Sequence, residues 1–109
     1  MVASVILHVE CLRSIDRARL ARAAPAEAIA IFRAALSDLI EKIDLVDISS
    51  NVLLRASQSL PFPIRTLDAI HLATAIEWRE RNDPTLTFAT HDHQLALAAR
   101  ALRFAVIGA

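Results

Sequence analysis

The chain has 109 residues, of which 55% are apolar, against about 45–50% in ordinary globular domains. That length serves one compact domain, and that composition excludes a disordered chain. Twelve basic and twelve acidic residues leave no net charge at neutral pH, so overall charge gives no support for wrapping a nucleic acid.

A single glycine excludes a glycine-cradled phosphate loop. A single cysteine, Cys11, cannot close an internal disulfide and predicts a reducing, cytoplasmic setting. Glu10 interrupts the N-terminal apolar run too early for a signal peptide. No stretch reaches the roughly 18 apolar residues that a membrane span needs.

In chain order, residues 1–5 read as a short strand, with Ser4 as the cap of a helix over about 5–22. Ile6, Val9, Leu12 (or Arg13) and Asp16 sit at near-helical spacings in that helix, and Leu7, Cys11 and Ile15 form a neighbouring apolar row. Pro25 reads as the first helical residue of the next helix, followed by Glu27 in its first turn and running to about Lys42. Its buried face is predicted at Ile29, Phe32, Leu36, Leu39 or Ile40, and Ile43. IDLVDI, residues 43–48, reads as a short strand. Ser49, Ser50 and Asn51 offer caps for a helix over about 51–59, and the prolines of LPFPI enforce a loop. Thr66 precedes the strongest helix, about 67–81, which Asn82, Asp83 and Pro84 end. TLTFA, residues 85–89, reads as a buried strand. A helix over about 93–101 and a last strand over 104–107 follow. Strands alternating with helices predict a layered α/β fold with a parallel sheet.

Three acids stand out by context. Glu10 lies between Val9 and Cys11 in an apolar helical segment, Asp68 opens the helix in RTLDAIHLATA, and Asp92 follows a strand in TFATHD. In a parallel sheet, strand C-terminal ends and the adjoining helix starts gather at one edge, where sites form. Converging carboxylates suit hard cations such as Mg²⁺ or Mn²⁺. A cation so held orients and deprotonates water and stabilises charge on a phosphoryl oxygen. Each acid also has a plainer role: Asp68 as a first-turn acid, Asp92 as a helix cap, Glu10 as an arginine's partner.

His91 and His93 flank Asp92, but no second histidine pair or cysteine completes a zinc pattern; they are candidates for orienting water or phosphate. His71 shares the helical face of Asp68. Arg13 and Arg17 stand three and seven residues beyond Glu10, placed to hold phosphates or to form a solvated face, and Arg65 has the same standing. Trp78 and Phe62 read as packing residues. Five aromatics in all are too sparse for a base-stacking platform.

RTLDAIHLATA, residues 65–75, resembles a signature of PIN-domain ribonuclease toxins of the VapC type. Residues 87–99, TFATHDHQLALAA, resemble the segment that carries another acid of that family. SVILHVECLRSIDR resembles the helix that holds its glutamate, and ALRFAVIGA its last helix end and strand. The resemblance spans essentially the whole chain, and the middle segment is its most specific part. It implies one PIN-like domain, a three-layer α/β fold with a central, mostly parallel sheet. It also implies an endoribonuclease dependent on Mg²⁺ or Mn²⁺, with Glu10, Asp68 and Asp92 as catalytic metal ligands. The partners it implies are an RNA substrate, a small cognate antitoxin and a second copy of the chain. One departure stands out. Family members begin with a strand that ends in an aspartate, followed by a helix, whereas residues 1–9 contain no acid. The expectation is therefore a chain without that first strand and first helix, with weakened or absent activity and in the extreme a protein- or RNA-binding remnant.

Overall fold

A computed structural model of the chain describes residues 1–60 and 62–109; Pro61, part of the predicted LPFPI loop, lies outside the described residues. The elements run β1 (Val2–Ser4), α1 (Ile6–Leu20), α2 (Ala26–Glu41), β2 (Asp44–Val46), α3 (Ser50–Ala56), α4 (Thr66–Arg81), β3 (Thr87–Ala89), α5 (His93–Ala101) and β4 (Ala105–Ile107). They fall into two compact units, Met1–Asp47 and Ile48–Ala109.

In the first unit β1 and β2 pair in parallel, with Val2 opposite Asp44 and Ser4 opposite Val46. Parallel strands need a crossover, which α1 and α2 supply. Val5 is already helical (φ −56°, ψ −26°), so strand passes into helix without a side-chain cap. This corrects the predicted Ser4 cap: its Oγ accepts only a long 3.4 Å bond from Ile6 N. Leu7, Cys11 and Ile15 are half-buried, whereas Val9 and Leu12 are exposed. A helix turns about 100° per residue, so the Leu7 row stays covered along its length, while the other row is half-buried at Ile6 and turns outward at Val9 and Leu12.

Pro25 is the N-cap of α2 and not its first residue. Its ψ of 156° is extended, and its carbonyl accepts the first helical bond, from Ile29 N at 3.1 Å. Ile29 and Ile43 are buried, and Leu36 and Ile40 half-buried. Phe32 and Leu39, also expected on that face, are exposed.

In the second unit Ser49 is the cap of α3, accepting from Val52 N at 3.1 Å. Val52 below it is among the most buried side chains. The core is built on α4, which buries Leu72, Ala73, Thr74 and Ile76. Three successive buried residues mean that the helix is covered on more than one side. The small side chains allow this, and the Thr74 hydroxyl is satisfied within its own helix by donating to Ile70 O at 2.8 Å. Leu72 and Ile76 join Phe88, Leu95, Ala98, Ala99 and Phe104 in one cluster, with Phe62 packed against it as expected. Phe88 and Phe104 lie 5.7 Å apart, tilted. Arg79 stacks 3.9 Å over the Phe104 ring and donates to Leu102 O.

β3 and β4 pair in parallel, Phe88 opposite Val106, with α5 as their crossover. The expectation of a wholly buried third strand is corrected: Phe88 is buried, but Thr87 and Ala89 are exposed, so this ladder is covered on one face only. The α/β character with short parallel strands is as expected. The described strands pair as two separate two-stranded ladders, because no strand among the described residues bonds to both pairs. Among the described residues no helix is long and apolar enough to cross a membrane.

Candidate functional site

Asp92 lies between the end of β3 and the start of α5, at the C-terminal end of a parallel strand. It is the N-cap of α5: its Oδ1 accepts from Leu95 N at 2.8 Å. Its own N–H donates to Thr90 Oγ1 at 3.1 Å. The carboxylate is thus exposed but held at one oxygen. Asp68 is the third residue of α4, in the first turn, where a negative charge is favoured by the helix dipole; it is half-buried. Both plainer roles are therefore filled.

Glu10 sits in the second turn of α1, half-buried. Its charge is felt by the neighbouring thiol: burial pushes the Cys11 pKa up, and Glu10 pushes it further. Glu10, Asp68 and His71 all have interacting partners in the fold.

Glu10 belongs to the first unit, and Asp68 and Asp92 to the second. The donor set, all carboxylate, fits Mg²⁺ or Mn²⁺ in kind. Among the described residues, however, no three His, Cys, Asp or Glu side chains gather closely enough to hold a metal ion.

β3 ends at Ala89, ahead of the histidines, as the sequence predicts. His91 is tied to the residue after β4: its Nδ1 lies 2.8 Å from Gly108 O, and because a carbonyl only accepts, Nδ1 carries the proton. His93 is the first residue of α5 and exposed. Arg65 is the exposed N-cap residue of α4.

Arg13 and Arg17 belong to a run of arginines, Arg13, Arg17, Arg19 and Arg22, that the sequence sets against Asp16 alone. Arg13 bonds Asp16 Oδ2 at 3.2 Å, while Arg17 donates to Ser14 Oγ. Asp16 also takes two bonds from Arg19, at 3.0 and 2.8 Å, and Arg33 of α2 stands 3.9 Å away. The hydrogen bond from Arg19, with the positive charges of Arg19, Arg13 and Arg33, holds the Asp16 carboxyl below its ordinary range. The i,i+3 spacing on α1 was visible in the sequence; nothing in the sequence announced Arg33, which depends on how α2 lies against α1.

A groove of about 380 Å³ between α3 and α4 is lined by Asn51, Leu54, Arg55, Gln58, Glu77, Glu80 and Arg81. Its Arg55 is already bound to Glu77 and Glu80, and no predicted site residue lines it.

Set against known proteins, the chain is 36% identical to ribonuclease VapC46 of Mycobacterium tuberculosis (strain ATCC 25618 / H37Rv) over 108 residues, covering 97% of this chain and 72% of that protein. No protein-family model matches the chain, and no solved structure does. A mixed α/β chain with parallel ladders and this degree of identity is a PIN-type ribonuclease by class. It belongs to the VapC family.

Proposed function

We propose that the chain is a metal-dependent endoribonuclease, the toxin of a toxin–antitoxin system, cleaving RNA phosphodiesters. The observation that carries this is the identity to a ribonuclease over nearly the whole chain. Glu10, Asp68 and Asp92 are the residues that would hold Mg²⁺ or Mn²⁺. Such a cation, when bound, activates water and stabilises phosphoryl charge. The bond from Leu95 N to Asp92 Oδ1 fixes that carboxylate's orientation and leaves Oδ2 outside the cap. Arg13, Arg17, Arg65, His91 and His93 are proposed contacts to RNA phosphates. The same reading includes one three-layer PIN-like domain with its strands in a central, mostly parallel sheet, a cytoplasmic homodimer, and a small antitoxin that covers the acidic site.

An RNase assay in Mn²⁺ and Mg²⁺, with EDTA and the variants Asp68→Asn and Asp92→Asn, tests it. Cleavage lost in EDTA and in both variants is the expected result. Cleavage that survives EDTA removes the metal, and cleavage by both variants removes the acids. The second reading is a catalytically impaired PIN-like module that binds RNA or protein. It predicts RNA binding without products in either cation.

A further inference from the structure

We propose that the arginines gathered on Asp16 form a binding surface for the RNA sugar–phosphate backbone, with Asp16 as the residue that positions them. The inference rests on RNA being the substrate and adds Arg19, Arg33 and the role of Asp16 to the contacts proposed above. Three guanidinium groups from two helices stand within 2.8, 3.2 and 3.9 Å of one carboxylate. One negative charge cannot neutralise three positive ones, so the cluster keeps an excess of two. The arginine side chains are 61%, 51% and 51% exposed, while Asp16 is only 23% exposed beneath them. A guanidinium has five N–H donors in a planar fork. The bonds to Asp16 engage one donor of Arg13 and two of Arg19, which leaves donors on exposed side chains for a phosphate.

A helix-dipole role accounts for part of the cluster only. Arg17 and Arg19 lie in the last turn of α1, where a positive charge is favoured whatever the function. Arg33 comes from the middle of α2, where the dipole has no hold. The charge of this unit is also segregated along the chain. From residue 13 to 33 five arginines stand against two acids, and from 34 to 47 four acids stand against one lysine. A chain neutral as a whole thus has a local surplus of arginine, the side chain suited to bidentate contact with phosphate. An acidic peptide would satisfy the same charge, but RNA is the polyanion that the proposed activity requires.

The test is fluorescence anisotropy of a labelled single-stranded oligouridylate, in EDTA so that binding is read without cleavage, across a range of salt. The variant Arg13→Gln/Arg19→Gln/Arg33→Gln is compared with Arg81→Gln/Arg100→Gln/Arg103→Gln, which removes the same charge from the second unit. If each lost phosphate contact flattens the log–log salt slope by about 0.7, the first variant, without the excess of two charges, loses about 1.4 in slope and about 25-fold in affinity near about 0.1 M salt. The second variant keeps the wild-type slope. A version of the first variant that also carries Asp16→Asn removes the unpaired acid and guards against misfolding, with circular dichroism as the check; it shows the same loss. Equal slopes for both triple variants overturn the surface, as does polyglutamate competing as well as RNA at equal charge. Binding by Asp68→Asn without cleavage separates the two ideas: the surface stands on binding, the ribonuclease reading on products. No RNA binding by the wild-type chain overturns the surface, and the cleavage assay then decides the activity alone.

Discussion

At the scale of single residues, Asp92 is a helix cap by observation and a metal-holding carboxylate in the proposed function. As an N-cap it satisfies Leu95 N, and asparagine does that nearly as well as aspartate, whereas alanine costs about 1 kcal/mol. Asp92→Asn should therefore melt close to wild type yet lose cleavage, and Asp92→Ala should lose both about 1 kcal/mol and cleavage. Thermal unfolding beside the RNase assay checks this; an active Asp92→Asn would leave the residue as a cap alone. Cys11 gives a pH prediction. Its thiol is pushed up by burial first and by Glu10 second, so the folded chain holds this proton more tightly than the unfolded one. That contribution to stability is complete below the unfolded pKa and is lost as the pH rises through the folded one, an alkaline window. Iodoacetamide should alkylate the folded chain with a midpoint above that of the denatured chain, and Glu10→Gln should move the midpoint only part of the way down. Gly108 shows what one glycine is for. At φ +93° a side chain is strained, and an added Cβ would stand 2.8 Å from Thr90 O, beside the carbonyl that holds His91.

At the scale of elements, helix starts differ in how they are secured. α3 is only seven residues long, too short to persist by propensity, so its cap and its packing decide whether it forms. Ser49→Ala should cost about 1 kcal/mol, read by denaturant unfolding, with a change under a few tenths showing that packing of Val52 dominates. Its partner α4 is joined to it by Arg55, which bonds Glu77 and Glu80 at 2.9 Å each. The two helices starting nearest the sequence's punctuation were well placed by it: Asn82–Asp83–Pro84 does follow α4, and Ser49 does open α3. Boundaries slipped where a residue's backbone geometry overrode its type, as at Pro25 and Ser4. The faces of α1 and α2 were the harder part. Both helices carry more apolar residues than one side can bury, and periodicity does not say which row meets a neighbour.

At the scale of the whole molecule, charge balance and apolar exposure act together. Twelve charges of each sign give a pI near 6.9, and Leu20, Ile31, Phe32 and Leu54 are all more than half exposed. Little net repulsion opposes association at neutral pH. Solubility should pass through a minimum near pH 7 and rise toward pH 9, as turbidity against pH at fixed protein concentration would show; a flat profile would mean that the exposed apolar residues are covered by something other than another copy.

The sequence by itself determined the order and type of every element, because cap residues, prolines and apolar spacing act locally. It also determined the family, since RTLDAIHLATA and TFATHD are local strings whose order along the chain is distinctive. It located Asp68 at a helix start and Asp92 at a strand end for the same reason. Only the tertiary structure decided which apolar rows are buried, that the strands form two parallel ladders, that His91 reaches across to Gly108 O, and that Arg33 joins Arg13 and Arg19 on Asp16. Each of these depends on contacts between segments far apart in the chain, and the spacing of residues within a segment carries no information about them.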